Sequence, residues 1–166
     1  MTMKKSLLAG ATAIAGLAPF ATDALAVTTT STFTVQVVLQ AYCTINSTTT
    51  LDFGTPNLLN ANVDHTSTIT VQCTDTTPYD IGLDVGTGTG ATVAVRKMTS
   101  GGATVNYTLY SNIGHTTLWG NTVSTDTVGA TGNGQQQPYT VYGRIPPQTT
   151  PAPGTYTDTI TVTVTY

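Results

Sequence analysis

Few residues in this sequence could carry chemistry. The candidates are two cysteines (Cys43 and Cys73), two histidines (His65 in NVDHTST and His115 in NIGHTTL) and the carboxylates Asp75, Asp80 and Asp84. A metal site needs ligands at short, recurrent spacings, and neither histidine stands at such a spacing from the other or from a cysteine. Both histidines fall in polar, turn-like stretches, which predicts exposed loop positions. Asp75 and Asp80 flank TTPY, and Asp84 follows in DIGLDV. A glycosidase needs a proton-donating carboxyl facing a second carboxylate across a cleft. Asp in such turns is better explained by its own hydrogen bonds to the backbone. The GTGTG stretch at 86–90 lacks the Lys-Ser/Thr and the helix of a phosphate-cradling loop. The residues therefore predict no enzyme, no metal and no cofactor.

The chemistry left is cysteine oxidation, and its setting comes from residues 1–26. Lys4 and Lys5 precede the apolar run LLAGATAIAGLAPFA, and Ala24-Leu25-Ala26 gives a small-x-small pattern before Val27. This reads as a secretory signal peptide over 1–26 rather than a membrane span, because the apolar run is too short. In an exported chain an even pair of cysteines reads as a disulfide, here Cys43–Cys73. Closing a loop of that size is worth roughly 3–4 kcal/mol in the chain-entropy model.

The elements that must position these residues read as strands. Thr supplies 40 of 166 residues and Glu none, so β-branched residues dominate and helix formers are scarce. Past residue 26 only Arg96, Lys97 and Arg144 are basic, against seven Asp, too few to neutralise a nucleic-acid backbone. Alternating runs are predicted as strands at 32–43, with Phe33, Val35, Val37 and Leu39 on one side, and at 51–55, 67–73, 79–85, 91–98, 105–111 and 139–145. Residues 116–120 form a brief further run, and 121–137 read as a loop or flexible hairpin. The closing run, 156–166, carries Tyr156, Asp158, Ile160, Val162, Val164 and Tyr166 on one face and threonines on the other. So apolar a face belongs in mid-sheet, which raises the question of what pairs with it. The expected core is Leu51, Phe53, Ile69, Val71, Ile81, Leu83, Leu109, Trp119, Val141, Ile160, Val162 and Val164. Short strands with regular turn signals predict one all-β domain over 27–166, an immunoglobulin-like Greek-key sandwich.

LDFGT at 51–55, NYTLYSN followed by TTLWGN, YTVYGRIPPQ at 139–148 and the ending PAPGTYTDTITVTVTY resemble the spore coat protein U family. That family includes the subunits of archaic, Csu-type chaperone–usher pili. The resemblance covers nearly all of 27–166 and departs mainly at 121–137. It implies an incomplete immunoglobulin-like sandwich that lacks its last strand and is completed in trans by donor-strand complementation. The strand would come first from a periplasmic chaperone and then from the N-terminal segment of a neighbouring copy. On this reading, about 27–39 is the donor segment, with Phe33, Val35, Val37 and Leu39 pointing into the acceptor. Ile160, Val162, Val164 and Tyr166 form the strand that receives it.

The resemblance further implies export through the periplasm, delivery to an outer-membrane usher, and a homopolymeric surface fibre supporting adhesion and biofilm. A spore or cell coat protein of the same fold is the alternative. A secreted carbohydrate-binding module or tip adhesin comes next, although about 140 residues leave no room for an added receptor domain.

Overall fold

The computed structural model describes residues 25–166, so the expected export signal at 1–26 lies outside the described residues except for its last two. The chain divides into two units, Met1–Val37 and Val38–Tyr166. In the first unit, residues 25–37 form no strand and are exposed throughout. The strand expected at 32–43 is thus unpaired chain, and sheet structure begins only at Cys43. Alternation makes a segment fit to be a strand, but a strand exists only where a neighbour supplies the ladder.

The second unit contains eight strands: β1 (Cys43–Thr48), β2 (Val63–Cys73), β3 (Pro78–Leu83), β4 (Arg96–Ser100), β5 (Ala103–Tyr110), β6 (Val128–Thr131), β7 (Gln136–Ile145) and β8 (Val162–Thr165). They make a five-stranded sheet ordered β1-β2-β7-β5-β4 and a three-stranded sheet ordered β6-β3-β8. Every pairing is antiparallel. The fold is the expected all-β, incomplete immunoglobulin-like sandwich.

Alternation in β2 turns Ser67, Ile69, Val71 and Cys73 inward, against Val141 and Ile145 of β7 and Val105, Tyr107 and Leu109 of β5. Tyr79, Ile81 and Leu83 of β3 join the same core. Trp119 is buried with them, its indole N–H donating to the Ile81 carbonyl at 2.8 Å. Eight of the twelve expected core residues are buried; Leu51, Ile160, Val162 and Val164 are only partly so. Cys43, Leu59, Cys73, Tyr79, Val105, Tyr107 and Ile145 join the core without having been expected there. Cys43 and Cys73, directly opposite in the β1–β2 ladder, are joined by a disulfide with an S–S distance of 2.02 Å.

Several boundaries differ from expectation for local reasons. Residues 51–55 are not a strand: Asp52 Oδ1 accepts from the Gly54 N–H at 2.8 Å, and Gly54 sits at φ +73°. That turn lays Leu51 and Phe53 beneath the β2–β7 pair. A Cβ at Gly143 would meet Leu51 Cδ1 at 2.6 Å and Phe53 Cζ at 3.0 Å, so glycine there makes the room. Residues 91–95 form turns closed by the Ala91 N–H to Gly88 O and Val95 N–H to Thr92 O bonds, leaving β4 to begin at Arg96. The 121–137 stretch contains β6, paired with β3. The terminal run contributes only four residues to β8, and these lie at a sheet edge rather than in mid-sheet.

Candidate functional site

The edge occupied by β8 is the structure's principal open feature. β8 pairs with β3 through Ile81 opposite Val164 and Leu83 opposite Val162. Its other edge has no partner among the described residues. Val162 and Val164 face the core while Thr163 and Thr165 face solvent, as the period of two requires. Ile160, Val162 and Val164 are nevertheless only half-buried, and Tyr166 is 56% exposed. β1 approaches β8 from the other sheet without hydrogen bonding to it, and Ile45 of β1 remains exposed. Further along, a cleft of about 600 Å³ opens between 51–59 and 150–156, with Met98, Val105 and Ile145 among its walls.

The segment entering β8 is fixed at several points. Thr157 exchanges two backbone hydrogen bonds with Thr99 of β4, at 2.8 and 3.1 Å. The chain then crosses to the other sheet, where the Asp84 N–H donates to Thr161 O and the Thr161 N–H to Asp84 Oδ1. Asp158 anchors the crossing. It accepts from the Thr87 N–H (2.7 Å), the Thr87 hydroxyl (2.8 Å), the Tyr107 hydroxyl (2.7 Å) and the Thr159 N–H (2.8 Å). Burial alone would raise the Asp158 pKa, but the bonds from Thr87, Tyr107 and Thr159 together hold it below its ordinary value. Burial pushes the Tyr107 phenol upward, and the bond to Asp158 adds to the shift.

A carboxylate whose folded pKa is depressed contributes stability above its unfolded value, about 3.9, that is lost as pH falls through the folded value. Thermal unfolding should therefore show a midpoint that drops as pH is lowered below about 4. Asp158→Asn should flatten that acid limb. Asp64 is held low by its bond to Arg144 and adds less, because that pair lies at the surface.

Beside Asp158 lies Arg96, a fully buried residue. Its guanidinium donates to four backbone carbonyls: Asp84 O (2.8 Å), Val93 O (3.0 Å), Leu83 O (3.1 Å) and Trp119 O (2.7 Å). Burial lowers its pKa, opposed by Tyr107 and the carboxylates of Asp84, Asp158 and Asp126. It ties the end of β3, the strand on which β8 rests, to β4 and to the Trp119 loop. Neither Arg96 nor Asp158 was singled out as a site residue from the sequence: in ATVAVR the alternation puts Arg96 on the face of Thr92 and Ala94, opposite Val93 and Val95, and so marks it as outward.

The remaining sequence candidates do not converge. Asp75 accepts from the adjacent Thr76 N–H, Asp84 from the Gly86 and Thr161 N–H groups, and Asp80 from the Thr127 hydroxyl, all bonds that hold the chain in place. Each histidine meets the expectation of an exposed loop position only in part, His65 being exposed and His115 lying outside the strands. His65 lies within β2, its ring edge-on to Phe53. The His115 side chain is 9% exposed, edge-on to Tyr110 and Tyr142, with Nε2 3.8 Å from Asp64 Oδ1. Among the described residues no group of three or more His, Cys, Asp or Glu is placed to hold a metal ion. Of the expected donor positions, Phe33, Val35 and Val37 lie in the first unit and Leu39 at the start of the second; all are at least 78% exposed.

Three comparisons bear on this arrangement. The chain is 34% identical to Protein U of Myxococcus xanthus over the full length of both proteins. Among solved structures it is similar to a chain of the CsuC–CsuE chaperone–tip adhesion subunit pre-assembly complex from the archaic chaperone–usher Csu pili of Acinetobacter baumannii. There the identity is 27% and the TM-score 0.57 over 77% of this chain, which spans 40% of the length of that one. The model of the Spore Coat Protein U domain matches residues 29–163. These are matches to structural proteins without enzymatic activity, and the open-edged sandwich accords with them: the chain belongs to the Spore Coat Protein U domain family.

Proposed function

We propose that this protein is the structural subunit of a surface pilus that polymerises head to tail by donor-strand exchange. The observation that carries the reading is β8, a sheet edge without a partner among the described residues, whose inward valines remain half-exposed. An exposed edge over an open core is an aggregation liability unless a strand covers it. The segment at 27–39 supplies what such an edge needs, alternating apolar side chains on a chain with no ladder of its own. Burying Phe33, Val35, Val37 and Leu39 at about 1.5–3 kcal/mol each would contribute about 6–12 kcal/mol. That is the size of a domain's entire stability, about 5–15 kcal/mol.

On this reading a periplasmic chaperone covers the edge before assembly and an outer-membrane usher exchanges it for the neighbouring copy's segment. The fibre then serves adhesion and biofilm formation. The signal at 1–26 exports the chain, and residues 27–166 form the mature subunit. Assembly into a spore or cell coat is the second reading, favoured by the match to the Spore Coat Protein U domain. The two are separated by whether surface fibres are lost when adjacent chaperone and usher genes are deleted.

The direct test appends a second copy of residues 29–40 after Tyr166 through a short flexible linker. The self-complemented chain should be monomeric and unable to polymerise. Its thermal midpoint should rise by tens of degrees over that of the native subunit. A fused chain that is no more stable than the native one, or still polymerises, would overturn the donor-strand reading.

A further inference from the structure

We propose that the Cys43–Cys73 disulfide is a mechanical clamp, placed so that tension in the assembled fibre bypasses a weakly held edge strand of the sandwich. This rests on the donor-strand reading, in which tension enters each subunit through residues 38–42 and leaves through the β8 edge.

The entry point is poorly defended without the disulfide. Residues 38–42 lead directly into β1, which is the edge strand of the larger sheet and is paired only with β2. Of its six residues only Cys43 is buried, and its ladder is irregular between Ile45 and Ser47. Beyond the ladder, the Tyr42 backbone is tied only to Thr74, by the Tyr42 N–H to Thr74 Oγ1 and the Thr74 N–H to Tyr42 O. A pull on residue 42 therefore loads the first pair of the β1 ladder before the others. Hydrogen bonds loaded one after another give way at low force, and β1 has almost no apolar burial to hold it once they do.

The bridge stands at that first pair. Cys43 is the first residue of β1, and Cys73, opposite it, is the last of β2. Tension arriving at Cys43 crosses the sulfur–sulfur bond into β2, an eleven-residue strand flanked by β1 and β7. β2 is paired with β7 continuously from Val63 to Gln72, and Ile69, Val71 and Cys73 are core residues. Load entering there engages the long central ladder and the core together. Loop closure alone would be served by a bridge at several positions along the ladder; protection against peeling requires the first.

Stretching single fibres in optical tweezers tests the placement. Wild-type subunits should extend without an early step, whereas Cys43→Ser/Cys73→Ser subunits should lengthen at low force, by about 20 Å per subunit as six residues peel away. Moving the bridge inward, with Ser47→Cys and Thr70→Cys in the double-serine background, should recover thermal stability yet keep an early extension. If the double-serine chain does not accumulate, wild-type fibres reduced after assembly, with opening of the bridge scored by thiol labelling, supply the same comparison. Coincident force–extension curves up to whole-domain opening, with and without the bridge, would overturn the clamp. So would an inward bridge that suppresses the early extension. Normal fibres from Val35→Asp would instead defeat the donor reading itself, and with it the load path; the two failures are thus distinguishable.

Discussion

Replacing Val35 with Asp is expected to abolish fibres while leaving a soluble subunit–chaperone complex at near wild-type yield. Val35 lies among residues 25–37, which are exposed throughout and form no strand, and is itself 84% accessible. A charge there is solvated in the chaperone-held subunit and has little effect on its folding. In the fibre the same side chain would point into the groove of the neighbouring copy, where an unpaired carboxylate costs several kcal/mol. At 1.4 kcal/mol per factor of ten, a cost of about 4 kcal/mol weakens every joint roughly a thousandfold. Complex yield and fibre yield should be measured from the same cells. Loss of both would make Val35 a folding residue of its own domain and defeat the donor assignment at this position.

The second large effect is expected at Arg96. Arg96→Leu keeps the apolar volume but removes donors to Asp84 O, Val93 O, Leu83 O and Trp119 O. An acceptor left buried without a partner costs about 1–3 kcal/mol, so four of them approach the whole stability of a small domain. The chain should then fail to accumulate in the periplasm. In the self-complemented form, which begins from a higher stability, denaturant unfolding should show a lowered midpoint corresponding to a loss of at least about 4 kcal/mol of unfolding free energy. Arg96→Lys should recover only part of it, because an ammonium cannot reproduce the planar fork that reaches carbonyls on three segments. An Arg96→Leu chain with an unchanged midpoint would show that water satisfies those carbonyls and that the guanidinium is dispensable.

Much of this protein was determined by its sequence alone. Threonine–valine alternation specified an all-β chain, because a period of two places one face inward whatever the neighbour. The inward positions of β2, β3 and β7 could be read for the same reason: Ile69, Val71, Ile81, Leu83 and Val141 are all buried. Two cysteines in a chain expected to be exported indicated the Cys43–Cys73 bridge. What alternation could not decide was whether each fit strand has a partner. Residues 33–39 and 160–164 carry the same pattern as β2, yet the first are unpaired and the second lie half-covered at an edge. A ladder is a property of two segments, and only the tertiary structure shows which pairs form. Arg96 illustrates the complementary limit. Its type argues for the surface, and it is buried only because four carbonyls from three segments, at Leu83–Asp84, Val93 and Trp119, converge on one guanidinium. Asp158 likewise reads as one more polar residue in a threonine-rich strand until the fold brings Thr87 and Tyr107 to its carboxylate. Local pattern sets which face of a segment is apolar; convergence in space sets which polar groups are satisfied and which edges stay open.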